Sequence, residues 1–346
     1  MNIEKYKSFI FETAKKILLV DSPSGYCEHV IKLIKEIVAE MGYSCYTTNQ
    51  GGLIVDIDGI DNSRTIGLTS HVDTLGTMVR SITDEGDLKF TLVGGPIVPT
   101  LDGEYCKIVT RQGVTYKGTF LCKSPSTHVY DDASTLVRNE DNMIIRIDEP
   151  VRNKEHVEAL GIMPGDYILI NPKTTVTKSG FLKSRFIDDK GSVACLIALL
   201  KILREENIKP HYHTKLVITV YEEVGHGGAY LPDDISELLS VDMGCIGLDL
   251  SCSEYDVSIC AKDSGGPYDY EMTTRLINLA KDNHLNYAVD IYPHYSSDAT
   301  VAMRAGNNIK AGLIGPGVHA SHGLERTHYL ALENTVKLLL LYLEAK

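Results

Sequence analysis

The chain has 346 residues, 43% of them hydrophobic, with 34 Lys+Arg against 46 Asp+Glu, a net charge of −12 with histidine neutral. That length predicts one large domain or two smaller ones around a substantial core. The acidic balance argues against nucleic acid and anionic membrane as main partners and fits a soluble enzyme that concentrates cations.

Eight cysteines are scattered through apolar runs with no C-x-x-C pair. They read as buried thiols in a reducing, cytoplasmic compartment. The opening residues 1–6 lack the basic-then-apolar layout of a signal peptide. No apolar run approaches the ~20 residues a membrane span needs.

Apolar residues at helical spacing (Ile3, Tyr6, Phe9, Ile10, Ala14, Ile17, Leu18) predict a helix over about 3–19, broken by Asp21-Ser22-Pro23-Ser24-Gly25. A second helix is predicted over 29–41, with Val30, Leu33, Ile34, Ile37 and Val38 on one face. Short strands follow at 45–48 and 53–58, and 65–70 reads as a buried strand ending in His71-Val72-Asp73. From about 76 to 175 the chain becomes short β-runs broken by Gly, Pro and Asp, with one short helix near 154–160. This predicts a small β-barrel domain at 76–175, inserted between two parts of the other domain, 1–75 and 176–346.

Phe186-Ile187-Asp188-Asp189-Lys190 opens a strong helix running to about 206, with Val193, Leu196, Ile197, Leu200 and Leu203 on its apolar face. Strands at 215–221, 245–250, 286–292 and 310–314 then alternate with helical stretches near 270–284 and 297–306, before a last helix at 330–345. Such alternation predicts an α/β fold, a mixed sheet with helices on both faces. Functional residues of such sheets gather at the strand ends.

Five places there carry metal-ligand residue types: His71 with Asp73, Asp188 with Asp189, Glu222 with Glu223, Asp249, and the His319/His322 pair. Imidazole and carboxylate together suit Zn²⁺ or another first-row divalent ion. In His71-Val72-Asp73, positions i and i+2 share a strand face, so Asp73 can hold the ring nitrogen of His71 that is not on a metal. Asp188 and Asp189 read either as helix caps or, for Asp188, as a carboxylate giving one oxygen to each of two ions. Two adjacent acids closing the apolar strand before Gly225 are costly unless cations compensate them. One would bind metal while the other moves a proton. Asp249, closing Ile246-Gly247-Leu248-Asp249, reads as a ligand or a plain turn residue.

The ordered set of H-x-D, D-D opening a helix, E-E-x-G, L-D and a late histidine resembles the tetrahedral aminopeptidases. That family includes glutamyl aminopeptidases and proteins once labelled cellulase M. The likeness spans nearly the whole chain, from Pro23-Ser24-Gly25-Tyr26 through Leu160-Gly161-Ile162-Met163-Pro164-Gly165-Asp166 to Ser297-Asp298-Ala299. It implies a di-metal peptidase domain interrupted by a PDZ-like dimerisation domain. It also implies His71, Asp188, Glu223, Asp249 and His322 as ligands of two divalent ions, zinc foremost, with cobalt or manganese as alternatives. Asp188 would bridge the ions and Asp73 would orient His71. Glu222 would be the general base that activates the attacking water and then protonates the leaving amine. Peptides would be the substrates, and a homo-oligomer, a dodecamer in many members, the assembly.

The chain departs from the family pattern at Thr74, where H-x-D-E has Glu, and at Asp189, where D-N has Asn. It has no H-S-P, so His319 competes with His322 for the last ligand position. Two other readings of the same fold are an amidase or deacylase of small acylated molecules and a non-catalytic peptide-binding assembly protein. A glycan hydrolase would leave the histidines idle. Lys262, Asp263 and Arg275 are candidate readers of a substrate side chain.

Overall fold

A computed structural model describes residues 3–345. The chain divides into two units, Met1–Thr74 with Lys173–Lys346, and Leu75–Pro172.

The first unit opens with helices α1 (Lys7–Leu18) and α2 (Glu28–Glu40), then strands β1 (Cys45–Thr47), β2 (Leu53–Ile57) and β3 (Asp61–His71). The second unit is a closed barrel of β4 (Gly76–Ile82), β5 (Leu88–Val93), β6 (Tyr105–Val109), β7 (Thr115–Cys122), β8 (Met143–Ile147) and β9 (Tyr167–Ile170), joined in the order β4-β5-β8-β7-β6-β9. The short helix α3 (Lys154–Glu158) lies between β8 and β9. Inward residues alternate along these strands, as a barrel requires. Phe90 and Phe120 fill the middle edge to face, with ring centroids 5.3 Å apart.

The chain then re-enters the first unit with β10 (Thr175–Val176), β11 (Phe181–Ser184), α4 (Ile187–Glu205), β12 (Tyr212–Thr219), β13 (Ile235–Val241), β14 (Gly244–Cys245), β15 (Val257–Asp263) and β16 (Gly266–Pro267). It ends with α5 (Tyr270–Asp282), β17 (Tyr287–Ile291), α6 (Asp298–Arg304), β18 (Lys310–Val318), β19 (Glu325–His328) and α7 (Tyr329–Glu344). The main sheet runs β1-β2-β12-β3-β13-β18-β15-β16. Its four central strands, β12, β3, β13 and β18, are mutually parallel. Their carboxyl-terminal halves are buried on both faces. On one face α4 lies between α1 and α7, almost wholly buried, which explains its lack of a polar side. On the other face Leu238, Ala311 and Leu313 pack against Ala299 and Ala302 of α6.

Two expectations need correction. The strand predicted at 245–250 is mostly irregular: only Gly244–Cys245 pairs with β18, and Gly247–Leu250 forms a turn. A strand absent from the prediction, β13, sits in the middle of the sheet. Glu237 interrupts its apolar pattern, but that carboxylate is buried and paired with Arg64, Arg275 and Tyr342.

Candidate metal centre

Parallel pairing brings the carboxyl ends of β12, β3, β13 and β18 to one edge of the sheet, where open α/β sheets present their functional groups. His71 ends β3 opposite Thr219 of β12. Ser240 of β13 lies opposite Thr69, which brings Asp242, two residues on, level with His71. Asp188 and Asp189 precede the regular part of α4, and neither has helical dihedrals.

Here His71, Asp189 and Asp242 form one group of donor atoms within 4.8 Å of one another, and His71, Asp188 and Glu223 form a second. His71 Nδ1 lies 3.0 Å from the Asp73 carbonyl oxygen and 3.5 Å from its Oδ1. Its Nε2 lies 3.2 Å from Asp188 Oδ1 and 3.7 Å from Glu222 Oε2. Asp188 Oδ2 lies 3.6 Å from His322 Nε2, which is in turn 3.7 Å from Glu223 Oε2. Asp188 thus stands between the two imidazoles, one oxygen towards each.

Two further buried carboxylates hold this arrangement through the backbone. Asp73 accepts from the N–H groups of Glu222 at 3.1 Å and Glu223 at 3.3 Å, and from the Ser24 hydroxyl at 2.5 Å. Glu325 accepts from the N–H groups of Asp188 at 3.1 Å and His322 at 3.0 Å. Asp189 Oδ2 accepts from the Ser70 hydroxyl and the His71 N–H. Asp298 accepts from the Thr219 hydroxyl at 2.5 Å. Its carboxylate and carbonyl fill the space that a Cβ at Gly227 or Gly228 would need, so the turn after Glu223 has to be glycine-rich.

Crowding dominates the electrostatics. Burial pushes the carboxyls of Glu222, Glu223, Asp189 and Glu325 well above the usual carboxylate range, and neighbouring acids add to it. Burial likewise raises Asp242 to about 7 and Asp298 to about 6. Burial alone would keep His71 neutral, but hydrogen bonds to Asp188 and Asp73 outweigh it and raise its pKa. The same bond keeps Asp188 below its ordinary value despite burial. Lys190 is a buried cation nearby: its Nζ donates to the Val20 carbonyl at 2.7 Å, and burial lowers its pKa to about 8.

Of the residues singled out in the sequence, His71, Asp73, Asp188, Asp189, Glu222, Glu223 and His322 come together. Asp249 does not: it lies in the exposed turn beyond β14, next to the fully exposed Leu248. Asp242 occupies the strand end that Asp249 was expected to close. His319 is exposed, and its N–H pairs with the Arg326 carbonyl. Asp242 and Glu325 were missed. The signal for Asp242 was its place at the end of Leu238-Leu239-Ser240-Val241, hidden by the charge at Glu237.

The model of the family described as M42 glutamyl aminopeptidase matches residues 51–338. YhfE of Bacillus subtilis (strain 168) is 44% identical over 335 residues, covering 96% of this chain and 97% of that protein. Among solved structures, the aminopeptidase APDkam598 from the archaeon Desulfurococcus kamchatkensis superposes with a TM-score of 0.87 at 22% identity, over 99% of this chain and 96% of its own. The TET1 peptidase of Pyrococcus horikoshii does so with a TM-score of 0.84 at 22% identity, over 97% of this chain and 100% of its own. An extensive family match, a close full-length relative and the shared fold together make this chain a member of the M42 glutamyl aminopeptidase family, and so a peptidase of the aminopeptidase type.

Proposed function

We propose that the chain is a di-metal aminopeptidase removing N-terminal residues from peptides, with Glu222 as the proton-transfer group. The observation that carries this reading is the position of Asp188 between His71 and His322, with Glu222 3.7 Å from His71. His71, Asp188 and Asp242 would hold one ion, and Asp188, Glu223 and His322 the other.

The residues fit such ions. Glu223 Oε1 and Asp189 Oδ1 are buried without a hydrogen-bond partner among the described residues. Several carboxylates share a space with too few cations to balance them. Mixed imidazole and carboxylate donors favour zinc, with cobalt or manganese able to serve. When bound, a pair of such ions supplies Lewis-acid polarisation of the carbonyl and a water of lowered pKa.

The chain's own groups do the rest. Glu222 takes a proton from the attacking water as the new C–O bond forms, and returns it to the peptide nitrogen as the C–N bond breaks. Asp73 orients His71 through Nδ1 and holds the Glu222–Glu223 backbone in place. The excess of carboxylates favours a substrate with a free, protonated N-terminus over an N-acylated one. An aminopeptidase cleaves amino-acid anilides and spares N-acyl amino acids; the opposite preference, or a protein without bound metal, would reject this reading.

TET1 of P. horikoshii is described as assembling into a tetrahedron or a large octahedral shell. We extend the proposal to a closed homo-oligomer of this chain, dodecameric if it follows the tetrahedral form, which light scattering tests. The free cysteines support a reducing, cytoplasmic setting. Among the described residues no helix is long and apolar enough to cross a membrane.

A further inference from the structure

Tyr295 lies between β17 and α6, in a segment held from both sides. Its carbonyl accepts from the backbone N–H of Ser264 at 2.8 Å and from the Ser264 hydroxyl at 2.7 Å. Its ring meets that of Tyr292 nearly at right angles, with centroids 5.2 Å apart, and packs on the apolar cluster beneath α6. Two and three residues on, Ser297 shares a hydrogen bond with Tyr268 at 2.7 Å, and Asp298 is tied to Thr219. Yet the Tyr295 hydroxyl is buried and has no hydrogen-bond partner among the described residues. The charged groups it faces are Asp242, Glu222 and Asp188. It lies close enough to Asp242 to lower that carboxyl, yet makes no hydrogen bond of ordinary geometry with it.

A phenylalanine ring would fill the same space and leave no polar atom unsatisfied. A rigid phenol aimed at the catalytic carboxylates is arranged for a partner that arrives with the substrate. With cations bound the carboxylates around it would be ionised and could only accept, so the phenol is the neutral donor of the group. During peptide hydrolysis the carbonyl carbon becomes tetrahedral and negative charge collects on its oxygen, where a preorganised donor is worth most.

We propose that the Tyr295 hydroxyl is a catalytic hydrogen-bond donor to the carbonyl oxygen of the scissile peptide bond, an assignment that rests on the aminopeptidase reading above. The phenol keeps its proton throughout; it makes no bond and breaks none.

The test compares Tyr295→Phe with the wild type, both as full-length, metal-loaded protein, on an amino-acid anilide. The expected loss is about 100-fold in kcat, the size of one such donor, with KM, metal content and thermal midpoint unchanged. A phosphinic peptide that mimics the tetrahedral carbon should lose affinity by the same factor, while the free amino-acid product binds as before. A kcat within twofold of wild type overturns the assignment. So does loss of metal from the variant, which would make Tyr295 a positioning residue for Asp242, or equal weakening of analogue and product. Wild-type protein that neither binds metal nor cleaves the anilide overturns the aminopeptidase reading itself, and the Tyr295 role with it.

Discussion

The Asp73 carboxylate accepts the backbone N–H of Glu222 at 3.1 Å, across 149 residues of chain. Its other oxygen accepts from Glu223, so one buried acid sets where both adjacent glutamates point. Glu325 does the same for Asp188 and His322. Removing either acid leaves two backbone donors without their acceptor. We expect Asp73→Ala and Glu325→Ala each to lower metal affinity or turnover about 10- to 100-fold, as loss of a supporting hydrogen bond does. Metal titration of the purified variants checks this; wild-type affinity and turnover would contradict it.

Glu222 contacts His71 but belongs to neither of the three-donor groups. Glu222→Gln should therefore retain metal while kcat falls by roughly two to four orders of magnitude, the range for a lost general base. Elemental analysis beside anilide kinetics separates the two readouts. Exhaustive chelation of the wild type should abolish turnover, and added zinc, cobalt or manganese should restore it.

The strand-end aspartates and the two loop histidines make a paired comparison. Asp242→Ala and His322→Ala should each lose bound metal and activity. Asp249→Ala and His319→Ala, at exposed positions, should keep both. Metal content of the four variants decides it, and the reverse pattern would reassign the site.

Glu237 supplies a stability test far from the chemistry. Burial alone would raise its carboxyl, but a 2.5 Å hydrogen bond from Tyr342 and the guanidinium groups of Arg275 and Arg64 outweigh it and hold it below its ordinary value. A carboxyl lowered on folding contributes stability that is present above the unfolded value, about 4.3, and is lost as pH falls through the folded one. Glu237→Gln should cost about 2–3 kcal/mol at pH 7, the scale for hydrogen bonds to a charged group. The gap between variant and wild type should shrink as pH drops below about 4. Urea midpoints at both pH values measure it, and a gap independent of pH would show that the charge contributes nothing.

Much of this protein was written locally. Apolar period and breaker residues gave the helices at both ends, the barrel-like insert and the α/β alternation, because burying one face of an element dictates its own spacing. His71-Val72-Asp73, Asp188-Asp189 and Glu222-Glu223 were legible for a related reason: charged residues at the ends of apolar runs stand out. Asp242 was not. Glu237 interrupts the apolar pattern of β13, and its partners Arg64 and Arg275 lie far away in the chain. Ile246-Gly247-Leu248, whose last two residues are exposed, looked more like a strand than the buried one did. The choice between His319 and His322 was equally out of local reach. Register and side-chain reach across the folded sheet determine which residues meet: Ser240 pairs beside Thr69, and the chain leaving β18 carries His322 to Asp188. Residue types and their order are properties of the chain alone. Which carboxylate stands level with His71 depends on how parallel strands align, and only the packed sheet determines that.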